Sequence, residues 1–192
     1  MAVSSYRLAK VENRLPSPKQ PSNMIKSNPD IMITIPAKTN SIDFVNGNFQ
    51  NIGTMPDMRF LYDLTDPGRE YAVSLPVIYN DYAAKHLQSD SDHAVRLVWI
   101  KINEQDLVRA IEHPEYIEKK LRARNDGYYS ATHIVKVSNP TSNKDQYMAV
   151  AISFTKNPSE KNAFHQITTI HPKKERDIIR ADGTIKPKYK KL

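Results

Sequence analysis

Between residues 146 and 156 the chain alternates with a period of two. Met148, Val150, Ile152 and Phe154 hold one parity, and Ala149, Ala151, Ser153 and Thr155 hold the other. That spacing sends successive side chains to opposite faces of a β-strand. A lone strand is not stable in water, so the segment commits this part of the chain to a sheet.

Its neighbours in sequence supply partners. Over 132–137, His133, Val135 and Val137 alternate with Thr132, Ile134 and Lys136. A polar loop over 140–145 and the Asn157-Pro158-Ser159 turn punctuate the segment. A third strand is expected over 164–170, stopped by Pro172, with a short helix over 173–180. Together these form an antiparallel meander.

Upstream, 73–78 and 97–100 (Leu97-Val98-Trp99-Ile100) read as short buried strands. Asn80 can cap a helix running to about Leu87, because its side-chain oxygen satisfies free N–H groups of the first turn. Asn103 is a second cap, with Asp106 placed where the helix dipole favours negative charge. Leu107, Ala110 and Ile111 then share one face. Pro114 breaks that helix and can open another that carries Ile117 and Leu121 and ends at Asn125-Asp126-Gly127. The expectation is an α+β fold, with two or three helices packed on a twisted antiparallel sheet of three to five strands.

The ends differ from this middle. Residues 1–56 hold Pro16, Pro18, Pro21, Pro29, Pro36 and Pro56 without a helical or strand period. They read as an extended, Pro-rich arm that orders against the domain or a neighbour. Within it, residues 31–35 are a β-branched run able to add as an edge strand or dock on a partner. The α+β domain is expected over 57–180 and a basic tail over 181–192.

The chain carries a formal charge of +7, of which +5 falls in its last twenty residues. Such a concentration attracts polyanions through counterion release, although a solubilising tail has the same composition. Cysteine is absent, which excludes disulfides and thiolate metal sites. No apolar run approaches the roughly 20 residues that span a bilayer, and residues 1–10 lack the apolar centre of a signal peptide. A cytoplasmic or particle-packaged protein is therefore expected, with no membrane partner and no cofactor.

The glycines are isolated, no HExxH or GxSxG appears, and no metal-ligand set is evident. P-loop, Rossmann, zinc-hydrolase and α/β-hydrolase chemistries are disfavoured. The third strand offers more. Strict alternation puts His165, Thr169 and His171 on one face, open if Phe164 and Ile170 face the core, with Lys173, Lys174 and Arg176 following. A histidine, a hydroxyl and a cationic cluster suit metal-free RNA cleavage, which needs a base, an acid and charge to stabilise the phosphorane. Histidine and threonine alternating on a solvated strand are also ordinary, so only the clustering carries the idea. Tyr128 and Tyr129 can stack on bases, or serve as packing after a turn. Lys186, Lys188 and Lys190 extend the basic surface. His133 reads as a half-buried strand residue, His113 as local structure at the helix break, and His86 as a cation at a helix C-terminus.

Three pieces within residues 73–176 carry a family likeness. They are VSLPVIYNDYAAKHL with His86, followed shortly by His93; LVRAIEHPEYIEKKL with Pro114 and Ile117; and the strand order HIVKV, MAVAISF, FHQITTIHP with a basic residue after it. This segment, rather more than half the chain, resembles phage members of the barnase–EndoU–colicin–RelE-like nuclease group. The resemblance implies a metal-independent ribonuclease fold whose sheet face holds the site. It places His86 near that face, Thr168 or Thr169 on the final strand, and Lys173 just after it. The Pro-rich arm departs from the bare domain, and a full catalytic set is not matched. Two alternatives follow: a non-cleaving member serving as a virion component or inhibitor of a host protein, and a plain nucleic-acid binder.

Overall fold

The computed structural model describes residues 34–89 and 91–192. In chain order the elements are β1 (Gln50–Met55), β2 (Leu75–Tyr79), α1 (Asp81–Gln88), α2 (His93–Ile102), α3 (Glu104–Glu112), β3 (Tyr116–Glu118), β4 (Arg122–Ala123), β5 (Tyr129–Lys136), β6 (Tyr147–Ser153), β7 (His165–Lys173), α4 (Glu175–Ile178) and β8 (Tyr189–Lys191). The fold is α+β. Its sheet runs β1-β2-β7-β6-β5-β3-β8, with β4 beside β5. Every pairing is antiparallel except β2 with β7, which makes the sheet mixed.

The sheet is larger than the three to five strands expected. β3, β4 and β8 are too short to show a period, and β1 has its alternation broken by a bulge between Asn51 and Gly53. Residues 97–100 form the last turns of α2 rather than a strand. The segment after Pro114 gives β3 and β4 rather than a helix.

The arm and the tail are also corrected. From Ile42 onward the expected arm is domain: Ile42, Phe44, Ile52 and Met55 lie in the main core. Tyr79 Oη donates to Phe44 O at 2.9 Å, and Ile42 N–H donates to Glu104 at 2.7 Å. Gly47 sits at φ +62°, and a Cβ there would lie 2.4 Å from Asp81 Cα. This stretch is therefore built against α1. Residues 31–33 of the β-branched run lie outside the described residues. The expected basic tail folds back instead as β8, pairing Tyr189 with Glu118 and Lys191 with Tyr116.

The register defines two faces. On the first lie Ile117, His133, Val135, Met148, Val150, Ile152, Ile167 and Ile170. Helix α3 packs against it, sealed by one exchange of partners. The carbonyl of Ala110, near the helix end, lacks a donor four residues on because Pro114 has no N–H. His133 Nδ1 lies 3.0 Å from that oxygen and supplies the hydrogen bond. On the second face lie Thr132, Ile134, Tyr147, Ala149, Ala151, Thr169, His171 and Lys173, joined by Tyr116 and Glu118. A smaller core of Tyr116, Ile134, Tyr147, Ala149, Ile178 and Tyr189 covers one end of this face. The stretch of it beside that core carries the polar side chains.

Candidate nucleic-acid interface

β7 decides where the candidate residues point. Ile167 pairs with Ile152 and Thr169 with Ala151, so Thr168 is the extra residue of a bulge. Its hydroxyl donates to Ala151 O at 3.2 Å. One inserted residue reverses the parity of the strand. Ile167 and Ile170 therefore both enter the core, which strict alternation forbids. His165 goes with Ile167, whereas Thr169, His171 and Lys173 take the second face.

His165 is consequently absent from the open face on which it was expected. It is fully buried, with its ring against Phe154 at 5.0 Å. Thr155 N–H donates to Nδ1 at 3.3 Å, so Nε2 carries the proton and donates to Val73 O at 2.9 Å. Both nitrogens are engaged by backbone, and burial pushes the ring down to about 4. This histidine is a structural strut. His86 stands exposed in the last turn of α1, a helix whose buried residues Ala83, Ala84 and Leu87 belong to the main core. The expected trio of His86, His165 and Thr169 does not converge.

A different group does. Glu118 is buried on β3 and holds Arg122 through both carboxylate oxygens, at 2.8 to 3.0 Å. It also accepts from Thr132 Oγ1 at 3.2 Å and faces Lys188 Nζ at 3.8 Å. Thr132 lies in register with Ala151 and Thr169, and His171 is two residues further along the same face. His171 is half-buried. Burial, then the charges of Lys173, Arg96 and Arg122, hold its ring down at about 4, while Glu118 pulls the other way. Three cations against one carboxylate bear on this single imidazole. The second face thus concentrates positive potential around a neutral, partly accessible ring.

The other sequence candidates divide. Lys173 belongs to this face, opposite Tyr147. Lys174 and Arg176 line an open groove of about 450 Å³ with Asn143, Lys144, Gln146 and Glu175. Lys188 lies over the Tyr189 ring at 4.7 Å and beside Glu118, whereas Lys190 pairs with Ile117 and so takes the opposite parity. Lys186 N–H is tied to Ile178 O. The tyrosines are not free platforms for bases. Tyr129 stacks on Tyr71 at 5.8 Å and presses against Gly68, and Lys156 covers the Tyr128 ring at 4.3 Å.

Sequence reasoning missed Glu118, Arg122, Thr132 and Arg96. The Glu118–Arg122 spacing was visible, but it lay in a segment read as helix, where such a pair is an ordinary surface feature.

The fold and this face define an α+β protein with a mixed eight-stranded sheet and a cationic patch on its second side. Compared with known protein families, with curated proteins and with solved structures, the chain matches none. Among the described residues no helix is long and apolar enough to cross a membrane.

Proposed function

We propose that this protein acts on RNA as a metal-independent endoribonuclease of the barnase-like kind, with its site on the second sheet face around His171. The observation that carries the reading is one sheet face that holds Thr169, His171 and Lys173 beside the buried Glu118 and its bound Arg122, with the charge of Arg96 also acting on His171. An RNA phosphodiester brings its own nucleophile, the 2′-hydroxyl. His171, neutral at neutral pH, takes that proton. The 2′-oxygen attacks phosphorus to give a 2′,3′-cyclic phosphate, and the bond to the 5′-oxygen breaks. The Lys173 ammonium supplies a proton to the leaving oxygen. The arginines stabilise charge on the phosphorane, and Glu118 fixes the orientation of Arg122 through its paired bonds.

The test is cleavage of labelled single-stranded RNA by the full chain in EDTA. Loss of His171 or Lys173 as a proton-transfer group is expected to lower the rate by roughly 100-fold or more. His171→Ala and Lys173→Ala variants that cut at the native rate would remove the proposal.

One observation favours a second reading. The Glu118 carboxylate is already occupied by Arg122, Thr132 and Lys188, and His171 resists protonation. A face so committed suits a member that binds RNA without cutting it. RNA retained intact by the native chain in the same assay selects this reading.

A further inference from the structure

The groove beyond the end of β7 has walls fixed from two directions. On one side the loop between β5 and β6 is pinned by Asp145. This buried carboxylate accepts from Thr141 N–H at 3.0 Å, from Ser142 N–H at 2.7 Å, and from both hydroxyls of those residues. These bonds hold the carboxyl below its ordinary range despite burial. Lys144 N–H in turn donates to Ser142 Oγ at 3.1 Å. On the other side, Lys174 N–H donates to Asp177 at 3.1 Å, and Gln146 Oε1 accepts from Glu175 N–H at 3.2 Å, which ties the two walls together.

Lys144, Lys174 and Arg176 line this groove against a single carboxylate, Glu175. None of the three cations forms an ion pair with a described residue, a state they share with surface lysines such as Lys119, Lys120 and Lys161 but not with Arg122, Arg124, Arg109, Lys38 and Lys101. What sets the three apart is that they share one groove. The groove begins where β7 and its polar face end, since Lys174, which lines it, directly follows Lys173. His171 and Lys173 are two residues apart on one side of β7, about 7 Å, and Lys174 follows at once.

We propose that this groove is a second phosphodiester subsite, holding through Lys144 and Arg176 the backbone of an RNA strand that continues past His171. The identity of the ligand rests on the RNA reading above. The substrate class it implies is a single strand of several nucleotides rather than a dinucleotide. Occupying both places anchors the strand without reading its bases, because both cations address phosphate.

The experiment uses the full chain and a fluorescein-labelled RNA dodecamer carrying 2′-O-methyl groups throughout, so that it cannot be cut. Affinity is read by anisotropy over a range of salt concentrations. In the double variant Lys144→Ala/Arg176→Ala, affinity at low salt falls on the order of tenfold, and the log–log salt slope drops by roughly 0.7 for each phosphate no longer neutralised. Cleavage of an unmodified dinucleotide keeps its native rate. Both substituted side chains are exposed and outside any ion pair with a described residue, so the melting temperature serves as the folding control. An unchanged slope with the dodecamer overturns the subsite. So does an equal loss on the dinucleotide, or a polyglutamate bound as tightly and lost equally, which assigns the groove to acidic protein. Failure of the catalytic reading is separable: His171→Ala then cuts as the native chain does, while the dodecamer slope still responds to Lys144 and Arg176.

Discussion

His165 and His133 show how a residue type associated with catalysis can serve packing instead. Both rings are buried in the first-face core and held near 4 by burial, against an ordinary value of 6.5. The unfolded chain therefore binds more protons than the folded one between those values. Stability is complete above about 6.5 and is lost as the pH falls from there toward 4. At about 1.36 kcal/mol per unit, each ring forfeits on the order of 3 kcal/mol by pH 4. Urea midpoints measured from neutral pH downward should fall steadily across that window, and a flat profile would show that neither ring is held neutral. His165→Ala strands Thr155 N–H and Val73 O and leaves a cavity against Phe154. The expected cost is about 2–4 kcal/mol, with RNA cleavage per folded molecule unchanged. A variant that melts like the native chain yet loses activity would place His165 back in the chemistry.

At the scale of elements, legibility followed length and local signal. The alternation of β6, the Asn80 cap and the break at Pro114 all appear where the sequence puts them. Asn80 Oδ1 accepts from Tyr82 N–H at 3.1 Å and also from Gln166 Nε2 at 3.0 Å. Asn80→Ala should therefore cost more than the ~1 kcal/mol of an ordinary cap, on the order of 2 kcal/mol by chemical denaturation, since it strands a buried amide as well. A cost below ~0.5 kcal/mol would mean that the Gln166 link contributes nothing. The rest was hidden for physical reasons. Leu97-Val98-Trp99-Ile100 matches a buried strand because α2 is apolar on several sides. Trp99 and Ile100 pack inward while Val95, Val98 and Ile102 face solvent. The bulge at Thr168 has no signature in side-chain period, yet it alone decides which histidine reaches the second face. The cationic cluster was half legible. Lys173, His171 and Thr169 stood together in sequence, but Glu118, Arg122 and Arg96 join them only through pairings of very short strands and the placement of α2.

For the whole molecule, the arm and the tail matter most, because composition and structure give opposite expectations for them. A solvated basic tail could be trimmed with no effect but a shallower salt response. The structure instead makes residues 186–192 part of the fold. Tyr189 is buried in the second core with Tyr116, Ile134 and Ile178, and Lys188 flanks Glu118. Tyr189→Ala empties that core and should cost about 3–5 kcal/mol, the range for large aromatic truncations. Its hydroxyl is buried and makes no hydrogen bond of good geometry to a described residue, with Lys188 as its charged neighbour, so Tyr189→Phe gives up at most that weak contact while keeping the ring. That variant should melt at or slightly above the native temperature. The pair is diagnostic in thermal melts. A lid merely resting on the sheet would tolerate both changes, whereas a chain-end strand completing the hydrophobic cover tolerates only the second. Deleting 186–192 should then lower the melting temperature further than Tyr189→Ala. It should also weaken RNA binding beyond the loss of the tail's charges, because Ile134 and Ala149 lose their cover next to His171.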